Sequence, residues 1–177
     1  MGSRRQALRW ATSAQHTKLD GLVGRLKDRS AYSRYLLMTT AFRASVEPEI
    51  TYAALAHSGL GPLRLSADLE QDCSDLGIAP PSTRLLPGLP QGVSSQIGAM
   101  YVIEGSMLGA RLLLSDALCL GLSADFGARH LAKQAADPER WKQFQRILEE
   151  TEDFDVGAAV AAASKVFEAA IQCAEMV

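Results

Sequence analysis

Several things are missing from this chain, and each absence closes off a class of function. It has three cysteines, Cys73, Cys119 and Cys173, odd in number, far apart and without CxxC or Cys/His ligand spacing. Neither a disulfide framework nor a zinc site is indicated, and reduced thiols in a cytoplasm are the expectation. No sign of charge dominates, because the net charge is −2 with 21% charged residues, which gives no broad surface for nucleic acid. At 47% hydrophobic the chain is not disordered either. The opening MGSRRQALRW has no signal-peptide apolar core or cleavage site, so export is not expected. No segment of convincing length alternates with period 2, and there are no internal repeats, low-complexity tracts, or flavin or nicotinamide fingerprints. For 177 residues these absences leave a single all-α domain spanning 1–177 as the expectation.

What is present is helical periodicity. Ser3 is placed to cap a first helix reaching about Lys27, with Leu8, Thr12, Leu19, Val23 and Leu26 on one side. Ser30 opens a second helix through Tyr35, Leu36, Met38, Thr39, Phe42 and Val46, and Pro48 marks a break or the first turn of a short helix carrying Tyr52 to His57. Ser66 begins a short helix that stops at Gly77, and Pro80, Pro81, Pro87 and Pro90 make the following stretch an extended connector. Asp137-Pro138 is a cap with Pro at N1 for a helix bearing Trp141, Phe144, Ile147 and Leu148, and an alanine-rich last helix runs from about Val156 to Met176.

The most informative stretch is Tyr101–Arg111, YVIEGSMLGAR, inside a long apolar run expected to form one helix from Ser94 or Ser95 to about Cys119. Gly98, Gly105 and Gly109 fall within about 40° of one another on that helix. Each costs roughly 0.5–1 kcal/mol relative to alanine, so something must approach the bare face closely. A partner helix, a second membrane helix and a flat ligand are the three candidates. Glu104, Arg111 and Asp116 remove the membrane reading, since a charge near a bilayer centre costs about 2.5–3.5 kcal/mol.

His16 lies at the border of the apolar face of the first helix. A histidine there is either a boundary residue or a ligand. Asp20, at i+4, can reach its other ring nitrogen, and Arg9, at i−7, lies on nearly the same side and could meet a negative group. Lys142 and Arg146 form an i,i+4 pair of cations that read equally as surface charge.

Leu8-Arg9-Trp10-Ala11-Thr12-Ser13-Ala14-Gln15-His16 and Tyr101–Arg111 resemble two stretches of the heme oxygenase family, particularly of its bacterial biliverdin-producing members. The first is Leu8-x-x-Ala11-Thr12-x-x-x-His16, like the family's proximal-helix pattern L-x-x-A-T-x-x-x-H. The second is Tyr101-Val102-Ile103-Glu104-Gly105-Ser106-Met107-Leu108-Gly109-Ala110-Arg111, like the bacterial distal helix Y-V-L-E-G-S-x-L-G-G-R. The resemblance implies a multi-helix bundle with heme between a proximal and a kinked distal helix. It makes His16 the axial ligand and lets the distal helix bend at Gly105 and Gly109, close to heme and dioxygen. Arg9, Lys142 and Arg146 match positions where some members place cations near the heme propionates.

Two positions depart from the family pattern. Many members have an aspartate where this chain has Ser106, which can relay a proton but carries no charge. Ala110 replaces the second glycine of a common pair, and its methyl is expected to narrow the distal pocket. The implied reaction is oxygen-dependent opening of heme to biliverdin, carbon monoxide and ferrous iron. It uses electrons from an external reductant, a reductase or ferredoxin, and the biliverdin could feed a phytochrome or be a by-product of iron recovery. A non-catalytic heme or tetrapyrrole carrier and a helical protein-interaction module are the alternatives.

Overall fold

The computed structural model describes residues 3–51, 55, 59–81 and 88–177, and its regular elements are helices. Helix α1 (Arg4–Ala11) starts with a reciprocal capping box, in which Ser3 Oγ accepts from Gln6 N and Gln6 Oε1 accepts from Ser3 N. The expected single helix to Lys27 is broken at Thr12, whose hydroxyl donates to Leu8 O at 2.8 Å. A hydroxyl that bonds the carbonyl one turn back competes with the helix ladder and bends it. Helix α2 (Ser13–Val23) continues past the break and stops at Gly24, where φ is +57°.

Helix α3 (Arg29–Val46) is capped by Asp28 rather than Ser30, because Asp28 Oδ1 is the group that reaches Ala31 N. A 3₁₀ turn at Glu47–Glu49 takes Pro48 into its first turn. The short helix expected over Tyr52–His57 lies outside the described residues, Leu55 apart. Helix α4 (Ser66–Asp75) ends just before Gly77, at φ +65°.

The long apolar helix is two helices, α5 (Val93–Gly105) and α6 (Met107–Cys119), broken at Ser106. Ser106 Oγ donates to Ile103 O at 2.7 Å, the same competition seen at Thr12. Helices α7 (Arg129–Ala135), α8 (Arg140–Glu150) and α9 (Val156–Glu175) complete the chain. Helix α8 begins two residues later than the Asp137-Pro138 cap suggests, with Glu139 at its N-cap position, and Asp137 Oδ1 accepts from Glu139 N and Arg140 N in the turn that leads into it.

Helix α9 is the centre of the packing and touches α5, α2, α3 and α1. Its buried alanines let neighbours come close, and Gly98 of α5 marks the closest approach. A Cβ on Gly98 would lie 2.1 Å from Ala159 O, so two helix backbones meet there. Val93–Cys119 and Val156–Glu175 are apolar and long enough to cross a bilayer, but half of each apolar window is buried against other helices.

Helix α8 is fixed to α5 by Arg140, which donates from Nε and Nη2 to the two oxygens of the buried Glu104, both at 2.7 Å, and from Nη2 to Gly61 O at 2.8 Å. A bidentate guanidinium–carboxylate pair fixes orientation as well as distance. It seats Trp141 over Gly105, with its ring centroid 5.7 Å from Phe144 and 5.9 Å from Tyr101.

Candidate functional site

His16 projects from α2 with its Nδ1 at 2.9 Å from Asp20 Oδ2; the two side chains are 63% and 68% exposed. A carboxylate can only accept, so Nδ1 carries the hydrogen and Nε2 presents a lone pair. One side of the ring rests edge-on against Phe167 of α9, centroids 5.9 Å apart. His16 is more exposed than its border position suggests, because the break at Thr12 frees α2 from the register of α1 and none of its residues is fully buried.

The second wall is a face of α6. Gly109, Leu112 and Asp116 lie within about 60° of one direction at 100° per residue. A Cβ on Gly109 would meet nothing within 4 Å, and Leu108 and Leu112 are 64% and 51% exposed. Asp116, at the far end of the same face, accepts from Arg25 Nε at 2.9 Å, Arg25 Nη2 at 2.5 Å and Leu26 N at 3.1 Å. The guanidinium of Arg25 holds the Asp116 carboxyl below the usual carboxylate range. Arg25 and Leu26 directly follow α2, so this clasp turns the bare face of α6 toward the end of the helix that carries His16.

Measured along the helices from the clasp, Gly109 is about 10 Å up α6 and His16 about 13 Å up α2, at 1.5 Å per residue. Elsewhere α2 packs on α9 and α6 on α7. The clasp thus joins the helix that carries an exposed imidazole to the helix that carries bare backbone flanked by leucines. A planar apolar group with one ligatable centre fits such walls.

The three glycines of the supposed common face have three different surroundings. Gly98 packs against α9. Gly105 makes room for Trp141, whose ring carbons would lie 3.6 and 3.7 Å from a Cβ, so its bare side is covered by indole rather than open to a ligand. Gly109 alone of the three faces open space. Ala110 is 1% exposed and its methyl packs in the core cluster.

Ser106 sits at the break, exposed on one side and bonded on the other. Its Oγ accepts from Gln134 Nε2 at 2.7 Å and Arg43 Nη2 at 3.2 Å while donating to Ile103 O. Behind it lies a buried polar seam between α3 and α7. Arg43 is 2% exposed and lies 3.6 Å from Glu47, which is itself held by Leu65 N at 2.8 Å and Ser66 Oγ at 2.7 Å. One turn before Gln134 is His130, wholly buried, with Nδ1 2.7 Å from Asp72 Oδ2. Burial pushes the His130 imidazole below its ordinary pKa. Burial also works against the Asp72 charge, yet bonds from His130 and Arg129 hold that carboxyl below its usual range.

The three expected cations are exposed. Helix α1 runs antiparallel to α8, since Arg4 Nη1 donates to Leu148 O and Thr151 O while Arg5 Nη1 and Trp141 Nε1 both reach the Gln145 amide oxygen. This register sets Arg9 near Tyr101 and Trp141, and its charge favours ionisation of the Tyr101 phenol against the larger effect of burial. Lys142 pairs with Glu139 at 2.8 Å, both side chains more than two-thirds exposed.

Sequence reasoning passed over Arg43, Gln134 and Arg25. Arg43 carried a signal, because it follows Leu36 by seven residues and Thr39 by four and so interrupts the apolar stripe of α3 with a charge. Gln134 and Arg25 carried none, as each acts across 28 and 91 residues of chain.

No family model matches the chain. Over 153 residues, 82% of this chain and 77% of the relative, it is 31% identical to a Pseudomonas aeruginosa protein named heme oxygenase PigA. Its structure resembles, at a TM-score of 0.82 and 25% identity, that of the NO- and CO-bound heme oxygenase from Neisseria meningitidis, covering 99% of this chain and 92% of that one.

Proposed function

This chain belongs to the bacterial heme oxygenase family, and from that membership we propose that the slot between α2 and α6 is where it opens its substrate. The chain is an enzyme that cleaves heme to biliverdin, carbon monoxide and ferrous iron with dioxygen and external electrons. The single observation that carries the assignment of residues is the pairing of an exposed imidazole, its Nδ1 tied to Asp20, with the open backbone at Gly109.

His16 Nε2 would hold the heme iron. The Asp20 carboxylate fixes the tautomer and orientation of the ring and makes Nε2 a stronger donor of its lone pair. Bound heme supplies the iron centre at which dioxygen is reduced. Gly109 lets backbone lie against the other face, while Leu108 and Leu112 keep that face apolar and limit water. Ser106 lies three residues from Gly109 and offers a hydroxyl at the break of the distal helix. Arg9, Lys142 and Arg146 supply positive charge for the propionates along the α1–α8 edge, where the Lys142–Glu139 pair costs little to exchange because it is a solvated surface pair. Electrons come from a separate reductase or ferredoxin in the cytoplasm, and the biliverdin either feeds an acceptor such as a phytochrome or is a by-product of iron recovery.

Adding hemin to the purified protein tests the site. A Soret band that is lost or displaced in His16→Ala is expected, and one unaffected by that substitution rules out His16 as the ligand. Supplying ascorbate or a reductase under air must then give a biliverdin band, and heme that stays intact removes the oxygenase reading.

A further inference from the structure

The open question at the distal helix is what stands in for charge at Ser106. We propose that Arg43 is a positioning residue for Ser106, its guanidinium and the Gln134 amide together filling both lone pairs of the hydroxyl so that Ser106 acts only as a hydrogen-bond donor at the break of the distal helix. The inference rests on the heme-site reading above.

A serine hydroxyl has one hydrogen and two acceptor positions and ordinarily turns to suit whatever is near. Here both acceptor positions are occupied by groups that can only donate, Arg43 Nη2 at 3.2 Å and Gln134 Nε2 at 2.7 Å. The hydrogen, now on Ile103 O, is what remains to be offered, and sharing it between that carbonyl and a ligand in the slot is a three-centre bond of the kind common at helix ends. The donor on one side is also a cation. A guanidinium bonded to an oxygen stabilises negative charge on it, so the O–H becomes the better acid.

Arg43 is well built for this. At 2% exposure it is the largest fully buried side chain described, and its charge is balanced by Glu47, which is anchored to the start of α4. The other titratable groups facing it are Tyr35 on its own helix and His130 of α7, backed by Asp72 of α4. Ser106 Oγ itself is bonded by Arg43, Gln134 and Ile103 O.

Two measurements test this. In the apo-protein, the ¹H–¹⁵N signal of the Arg43 guanidinium should shift in Ser106→Ala, an exposed change that leaves the core intact; an unmoved signal overturns the proposal. In the ferric heme-loaded protein, the midpoint of the acid–alkaline change in the visible spectrum reports donors beside the iron. Removing a donor disfavours the deprotonated form, so Ser106→Ala and Arg43→Lys should each raise that midpoint by about half a pH unit or more. Arg43→Lys in the Ser106→Ala background should add little, because both act through one hydroxyl. A full additional shift, or none in Arg43→Lys alone, overturns it. Failure of the heme reading appears separately, as a Soret band indifferent to His16→Ala, while the apo-protein signal still decides the role of Arg43.

Discussion

Asp116 of α6 takes both Nε and Nη2 of Arg25, at 2.9 and 2.5 Å, and so fastens the end of the helix that carries His16 to the helix that carries Gly109. The clasp ties the two helices together by a specific bond. Asp116→Asn keeps the shape but loses the charge and the bidentate geometry. Heme should leave this variant several-fold faster, measured by transfer to an excess apo-globin, with the Soret position unchanged because His16 is untouched.

Gly98 and Gly109 should respond oppositely to alanine. At Gly98 the added methyl would fall 2.1 Å from Ala159 O, and backbone cannot step aside, so Gly98→Ala should lose about 3 kcal/mol or more in urea unfolding. Gly109→Ala meets nothing within 4 Å and should gain about 0.5–1 kcal/mol in the apo-protein through helix propensity. The same methyl would stand in the slot, so heme affinity should fall while apo stability rises.

Acid should destabilise the fold in two steps. His130 is held below its ordinary pKa by burial, so the stability it contributes is complete above its unfolded value of about 6.5 and is lost as pH falls below that toward the folded pKa. Asp72, also held low, contributes above about 3.9 and loses that contribution as pH falls through its own folded value. Between about pH 6.5 and 5, His130→Gln should show a flatter dependence of unfolding free energy on pH than the parent protein. Equal slopes would mean that His130 protonates as readily folded as unfolded.

Arg140→Met should remove the bidentate guanidinium from the buried Glu104. Breaking a buried pair by removing one partner costs about 3–5 kcal/mol, so the melting temperature should drop markedly. Trp141 follows Arg140 in α8, and its fluorescence should shift to longer wavelength as its packing over Gly105 loosens.

Much of the helix inventory was legible because caps are local. Ser3, Asp137 and Gly77 each act within a few residues, and each does what its type dictates. The two breaks were not legible as breaks. Thr12 and Ser106 each keep the backbone bond to the carbonyl four residues back and add a side-chain bond to a carbonyl three or four residues back, and periodicity alone reads straight through such a position. The equivalence of three glycines also failed, since the break at Ser106 separates Gly98 and Gly105 from Gly109 and ends the common register.

The sequence by itself determined the all-α class, the kinship of the Leu8–His16 and Tyr101–Arg111 stretches, and the pairing of His16 with Asp20, all of them matters of local spacing. Tertiary structure decided which glycine is open, that Ala110 belongs to the core, and that the hydroxyl of Ser106 is met from behind by Arg43 and Gln134. Those outcomes depend on which helices touch, and that is settled by burial of apolar faces across the whole chain rather than by any residue's neighbours in sequence.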